Sequence, residues 1–183
     1  MQYALLAIIL VAPLFTMLGT LVVNNRMAFF SDTLGHSALT GIALGVLLGI
    51  SDPLWAMLVF AMIVALSINY IKNRTGVSTD TAIGVLSATA VALGIAILSR
   101  GGGFARYSRY LIGDLLSITP QDIIGLALVL FMVFLIMLGA SNQLLLVSIN
   151  SSLARSRGVH VGLVELLFTL SLAVVVTISL QWI

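Results

Sequence analysis

The strongest constraint on this chain is its succession of long segments without charge. No charged residue precedes Arg26, and the stretches 33–51, 53–71 and 81–99 are each about one membrane span long. A helix needs roughly 20 apolar residues to cross a bilayer core. Charged residues make up 8% of the chain, against roughly 25% in soluble domains, so a fully water-facing surface cannot be built. The sequence therefore predicts a polytopic membrane protein.

About six membrane-spanning helices are predicted from the turn residues and charges that separate the apolar runs. Helices are the expected form because lipid offers backbone polar groups no partner outside the segment. The predicted class is thus all-α, with one transmembrane domain over 1–183 and a first span that is retained rather than cleaved as a signal peptide. Residues 72–74 and 141–142 are predicted loops. The predicted spans are 3–23, 27–50, 54–71, 80–98, 122–140 and 162–181.

Basic residues in the short loops predict that the N-terminus lies outside the cell. This orientation requires that the segment 110–122 does not cross the membrane. The segment is too short to span and carries Gly113 and Asp114, so we expect a re-entrant or interfacial piece on the outer side. A gate or cation-entry group and a structural cap are both open interpretations of Asp114. The basic residues expected to face the cytoplasm are Arg26, Lys72, Arg74, Arg155 and Arg157.

Several chemistries are excluded by the composition. The sequence has no cysteine, which removes disulfides, thiolate metal sites and cysteine nucleophiles. Its net charge of +2 is small and scattered, so a nucleic-acid surface is not expected. No phosphate-binding loop of the ATPase type occurs, so an ATP-driven process would have its energy source on another chain.

An aspartate and a histidine stand four residues apart within the second predicted span. Residues at i and i+4 share one face of a helix, so Asp32 and His36 are expected to lie side by side. At about 1.5 Å per residue from Arg26, His36 would lie close to the middle of the bilayer core. An ionisable pair there usually marks an ion path, and oxygen with nitrogen suits zinc or manganese. Thr40 is predicted to continue this polar face.

A structural interpretation of the same residues stays open. Ser31 and Asp32 would cap a helix that begins later, and His36 would be a core histidine bonded to a neighbouring carbonyl. Two ligands are also too few for a closed metal site, so further ligands would come from another span or subunit.

Small residues recur every four positions in two of the predicted spans. Such spacing lets another helix backbone approach closely, so the second span is predicted to be central, with its small residues as helix-packing positions. The positions are Ser37, Gly41, Gly45 and Gly49 in the second span and Gly84, Ala88, Ala92 and Ala96 in the fourth.

The segment 142–162 mixes apolar residues with Asn, Ser and Arg, unlike the other connections. It predicts a short amphipathic helix over 150–157 that ends at Gly158. Such a helix would lie on the membrane surface or dock into a groove of a partner. Two acidic residues have structural interpretations: Asp80 is predicted to cap the fourth span, and Glu165 to favour the N-terminus of the sixth.

Four stretches, in order, resemble the ABC-3 family of zinc and manganese importer permeases. The first and third together form the specific part of this likeness, which covers essentially the whole chain. The stretches are RMAFFSDTLGHSALTGIALG, VSTDTAIGVLSATAVALG, YLIGDLLSITPQDI and VSINSSLARSRGV.

The resemblance implies a permease of the bacterial plasma membrane that dimerises, pairs with cytoplasmic ABC ATPase subunits and receives metal from an extracytoplasmic binding protein. Zinc is the first expected substrate and manganese the next, with no permanently bound cofactor and no enzymatic activity in this chain. By position, Asp32 and His36 match the family's metal contacts, and Gly113 and Asp114 match its outer gate. The residues that match the ATPase-coupling helix are Asn150, Ser152, Ala154, Arg155 and Gly158.

Two features depart from the family pattern. The coupling segment usually carries an acidic pair ahead of the alanine, where this chain has Asn150 and Ser152. Family members also continue with further spans, so this chain is C-terminally short by comparison. Two alternatives to an importer subunit stay open. One is a non-transporting assembly subunit, and the other is an intramembrane metalloenzyme, against which the absence of a His-Glu-x-x-His motif argues.

Overall fold

Seven helices make up the part of the chain that the computed structural model describes, which is residues 2–25, 27–50, 52–100 and 120–180. The predicted all-α class is confirmed, and no strand occurs within these ranges. Gly113 and Asp114 lie outside the described residues. The helices are α1 Gln2–Asn24, α2 Phe30–Leu47, α3 Pro53–Thr75, α4 Thr79–Arg100, α5 Pro120–Ile149, α6 Ser151–Ser156 and α7 Val161–Leu180.

Five of these helices are long and apolar enough to cross a membrane, namely α1, α3, α4, α5 and α7. Each of the six predicted spans corresponds to a helix. The remaining one, α2, has 18 residues, with Asp32 in its first turn and His36 one turn later, and is not among the five. The polytopic prediction is therefore confirmed.

Two predicted loops are wrong because the helices run past them. α3 continues through 72–74 to Thr75 and ends at Gly76, whose φ of +67° suits a left-handed cap. α5 continues through 141–142 to Ile149. The polar side chains stay within the helix because they bond to it: the Ser141 hydroxyl donates to the Leu138 carbonyl oxygen at 2.8 Å.

The first turn of α4 also differs from its prediction. The cap is Ser78, whose hydroxyl oxygen accepts from the backbone N–H of Thr81 at 3.2 Å. Asp80 lies one residue inside the helix, in the first turn. Its negative charge there favours the positive end of the helix dipole without capping it.

The helix α2 occupies the centre of the bundle, as predicted, and packs against α3, α4 and α7. α5 packs against α1 and α7, so α7 joins the two halves. Large apolar side chains such as Phe131 and Met132 on α5 are more than 60% exposed. In a bilayer these side chains have acyl chains as their surroundings, so their exposure carries no hydrophobic cost.

Two glycines bring α2 against the backbone of α3. A Cβ atom at Gly41 would lie 2.8 Å from the Met57 Cα, and one at Gly45 would lie 2.7 Å from the Ala56 Cβ. Ser37 is also buried on α2, and its hydroxyl donates to the Leu34 carbonyl oxygen at 2.8 Å. The helices therefore approach too closely for any side chain at these glycines.

Gly49 does not share that packing role. It follows the end of α2 with a φ of +69°, and no neighbouring atom lies within 4 Å of its Cβ position. Since that φ is disfavoured for residues with a side chain, Gly49 serves as the turn that ends α2.

The small-residue stripe of the fourth span points away from the bundle. The α4 positions that meet α2 are instead Ala90 and Gly94: Ala90 is buried, and a Cβ at Gly94 would lie 2.7 Å from the Thr40 Oγ1. A period of four identifies a face of a helix but not the neighbour that packs on it. The exposed positions are Gly84, Ala88, Ala92 and Ala96.

Candidate metal site

The Asp32 and His36 side chains lie side by side on α2, one turn apart. The distance from Asp32 Oδ2 to His36 Nε2 is 3.4 Å. Their side chains are 67% and 52% exposed, respectively. The residues therefore present one oxygen and one nitrogen ligand that a solute can reach from outside the single chain.

The start of α2 excludes the capping interpretation of Asp32. The N-cap residue is Phe29, and it makes no side-chain capping hydrogen bond. Asp32 lies inside the first turn, where its charge favours the helix dipole. Its carboxylate is directed toward His36 rather than back to the helix terminus. Both side chains thus belong to one exposed face.

An open groove of about 360 Å³ surrounds the pair. Three other helices contribute to it: α3 through Met57, α4 through Val91 and α7 through Leu180. These apolar residues carry no sequence motif, and only the packing of the helices brings them to the pair. Val91 lies near the middle of α4, so the groove borders the middle of that helix.

Thr40 does not continue the polar face. It is buried, and its hydroxyl donates to the Ala90 carbonyl oxygen on α4. Each step of four residues rotates about 40° around an α-helix, so two steps carry Thr40 away from Asp32. Its function is to join α2 to α4.

The described residues contain no group of three or more His, Cys, Asp or Glu side chains able to hold a metal ion. The pair alone provides two protein ligands, whereas a closed structural zinc site has four. The remaining positions around an ion would be filled by water or by groups outside the described residues. This arrangement suits an ion that is bound transiently.

A second feature, the short helix α6, matches its prediction. The Asn150 side-chain oxygen accepts from the backbone N–H groups of Ser152 and Leu153, both at 3.0 Å. Gly158 follows with a φ of +76°. Ala154 is fully buried, whereas Ser152 and Arg155 are exposed. One side of α6 is thus anchored in the bundle and the other is presented outward.

A third feature is an ion pair between helices that the sequence did not reveal. The Lys72 Nζ on α3 lies 3.1 Å from the Glu165 Oε1 on α7, and the side chains are 29% and 16% exposed. Glu165 lies beyond the first turn of α7, so the predicted helix-terminus role is replaced by this pairing. The partner could not be predicted because the residues are far apart in sequence.

The sequence is similar to those of known membrane transport proteins. The family described as the ABC 3 transport family matches residues 1–183. The chain is similar to the high-affinity zinc uptake system membrane protein ZnuB of Haemophilus influenzae, with 30% identity over 98% of this chain and 69% of that protein. It is also similar to the manganese transport system membrane protein MntC of Halalkalibacterium halodurans, with 31% identity over 99% of this chain and 62% of that protein.

The fold also resembles a solved structure, PsaBC from Streptococcus pneumoniae in complex with Fab. The TM-score is 0.78 at 28% identity, and the match covers 98% of this chain and 65% of that one. The chain therefore spans about two thirds of the length of the proteins it matches. Since the family match covers the entire sequence, this chain belongs to the ABC 3 transport family.

Proposed function

We propose that this chain is a membrane-spanning permease subunit of an ATP-driven importer for a divalent transition metal, with zinc as the first substrate and manganese as the next. The observation that carries the proposal is the Asp32–His36 pair, which stands exposed on a helix packed against three others. Family membership supports transport as the activity. Relatives named for zinc uptake and manganese transport support the choice of metal.

The pair gives the substrate ion a temporary binding place. A carboxylate oxygen of Asp32 and an unprotonated ring nitrogen of His36 replace part of the hydration shell. The negative charge of Asp32 offsets part of the cost of bringing a dication between apolar helices. Because transport requires release as well as entry, two ligands per chain suit the task better than a closed site.

Coupling to ATP hydrolysis is assigned to α6. Its buried Ala154 anchors the helix, and its exposed Ser152, Leu153 and Arg155 offer a surface to a cytoplasmic ATPase. A displacement of that surface by the ATPase would be transmitted to α5 and α7, the helices that α6 contacts. The outward N-terminus follows from the basic residues of the loops.

The complete importer would contain further components of the bacterial plasma membrane. A second permease copy and two ATPase subunits form the core, and an extracytoplasmic metal-binding protein delivers the ion. Gly113 and Asp114 are proposed to line the outer gate through which the ion enters.

Reconstitution tests the proposed function. The chain and its ATPase, placed in liposomes with the binding protein, are expected to accumulate radioactive zinc, and manganese more weakly, only when ATP is supplied. ATP-dependent uptake of neither metal by an assembled complex would contradict the proposal. That result would favour the non-transporting assembly subunit.

Removal of the α6 cap is expected to weaken the association with the ATPase. Asn150→Ala deletes the acceptor of two backbone hydrogen bonds, and loss of such a cap costs about 0.5–2 kcal/mol. We expect the detergent-solubilised variant to retain at most about half of the co-purified ATPase. Asn150→Asp keeps the acceptor and serves as the matched control. Equal ATPase recovery with Asn150→Ala would show that α6 does not need its cap for docking.

A further inference from the structure

The Lys72–Glu165 ion pair links two helices at one end of the bundle. Within residues 2–25, 27–50, 52–100 and 120–180, the other close pairing of opposite charges, Asp32 with His36, lies within a single helix. Lys72 and Glu165 therefore form the charged contact that joins one described helix to another. Both side chains are more than two thirds buried, which distinguishes them from exposed pairs of negligible strength.

Two polar side chains, Asn69 and Thr169, line the small cavity beside the pair. Asn69 is buried on α3, and its side-chain oxygen accepts from the Asn73 amide nitrogen at 2.6 Å. Thr169 is buried on α7, and its hydroxyl donates to the Glu165 carbonyl oxygen at 2.9 Å. The pair is partly buried, so removal of one partner would leave the other charge poorly compensated.

On one side, the pair is close to the proposed coupling helix α6. α7 begins at Val161, one turn before Glu165. The connection from α6 folds back on itself, since the Val159 N–H donates to the Ala154 carbonyl oxygen at 3.0 Å. Ala154 and Val161 both belong to the main apolar core. A displacement of α6 is therefore transferred to the first turns of α7.

On the other side, the pair connects to the helix that carries the metal ligands. Lys72 lies on α3, and α3 contacts α2 backbone to backbone at Gly41. A shift of α3 toward α2 at this point would cause a backbone clash, so α2 has to move with it. A displacement of α3 is therefore transferred to Asp32 and His36.

We propose that Lys72 and Glu165 are positioning residues that transmit the movement of α6 to α2 through α7 and α3. The inference rests on the proposed function. It adds a specific connection between ATP hydrolysis at one surface and metal release at another, and neither residue touches the ion.

The test is the number of metal ions imported per ATP hydrolysed by the reconstituted complex. Lys72→Met and Glu165→Gln are each expected to lower that ratio by roughly fivefold or more, the scale of a typical coupling between sites, while ATP hydrolysis changes by less than about twofold. The double variant Lys72→Glu with Glu165→Lys is expected to recover most of the ratio. Arg74→Met, which removes an exposed cation two residues away, is the matched control and should leave the ratio unchanged.

A ratio that stays at the wild-type value in both single variants would overturn the inference. Uptake and hydrolysis that fall together in proportion would also overturn it, since that pattern indicates a structural contact without a role in coupling.

A measurement independent of transport separates this inference from the proposed function. The chain has no cysteine, so spin labels can be placed at Ser156→Cys on α6 and Thr75→Cys on α3. We expect a single narrow distance distribution in the wild type, with and without ATP, and a broadened one with Lys72→Met. A distribution that Lys72→Met leaves unchanged would refute the linkage. Failure of the wild type to import metal would instead refute the proposed function. The distances between the labels would still test whether Lys72 and Glu165 link α6 to α3.

Discussion

Asp32→Ala and His36→Ala are each expected to lower ATP-driven metal uptake by about tenfold to a hundredfold or more. Loss of an outer-shell partner alone costs 10- to 100-fold in metal affinity, and each variant removes half of the ligand pair. The two side chains lie 3.4 Å apart on an exposed face, so both can contact the same ion and each variant leaves a single protein ligand. The measurement is initial uptake of radioactive zinc and manganese by liposomes that contain the complete complex.

Asp52→Asn is the matched control for this experiment. Asp52 is an exposed carboxylate at the N-cap of α3, where it accepts from the Leu54 N–H at 3.0 Å. An asparagine keeps that acceptor, so uptake should stay near the wild-type value. If Asp32→Ala and His36→Ala transported as well as Asp52→Asn, the pair would have no part in the metal path.

Gly41→Leu is expected to disrupt the bundle. A Cβ at this position would lie 2.8 Å from the Met57 Cα and 3.1 Å from the Ala56 carbonyl oxygen. Both are backbone atoms, so no side-chain rotation relieves the clash and α3 has to move away from α2. Overpacking of a core typically costs about 1–3 kcal/mol, occasionally more, and a clash with backbone should lie at the upper end. We expect a thermal midpoint in detergent at least 5 °C lower, roughly the shift expected from such a loss.

Gly139→Leu provides the comparison for that substitution. Gly139 lies on α5 with no neighbouring atom within 4 Å of its Cβ position. Leucine is a better helix former than glycine, so the thermal midpoint should be equal to or higher than that of the wild type. If Gly41→Leu and Gly139→Leu had equal midpoints, the close contact of α2 with α3 would be wrong.

The membrane class and the approximate positions of the helices were predictable from the sequence because charges and turn residues interrupt the apolar runs. The C-terminal ends of α3 and α5 were not, since these helices continue through 72–74 and 141–142. The adjacency of Asp32 and His36 was predictable for a similar reason, since spacing of four fixes two side chains on one helical face. The short helix after Asn150 followed from local signals at both ends. These predictions depend on local sequence patterns and not on which helices pack together.

The features that could not be predicted depend on contacts between segments that are distant in the sequence. The repeat of small residues identified a face of α4 but could not say which side meets α2. Thr40 continued the period of four, yet the rotation of the helix carried its hydroxyl to the Ala90 carbonyl. The partner of Glu165 lies 93 positions earlier in the chain, at Lys72, and no local pattern connects them. The apolar walls of the metal groove are likewise set by packing alone.

The exposure of Asp32 and His36 on one face of α2 has a consequence for the lipid annulus. An ionisable group that faces acyl chains near the bilayer centre costs about 2.5–3.5 kcal/mol on insertion scales, so the groove around the pair has to open to water or to protein. Phe131 and Met132 on α5, in contrast, have an apolar surface that suits acyl chains. Lipid is therefore expected to surround the exposed apolar faces of the bundle and to be excluded from the groove that contains Asp32 and His36.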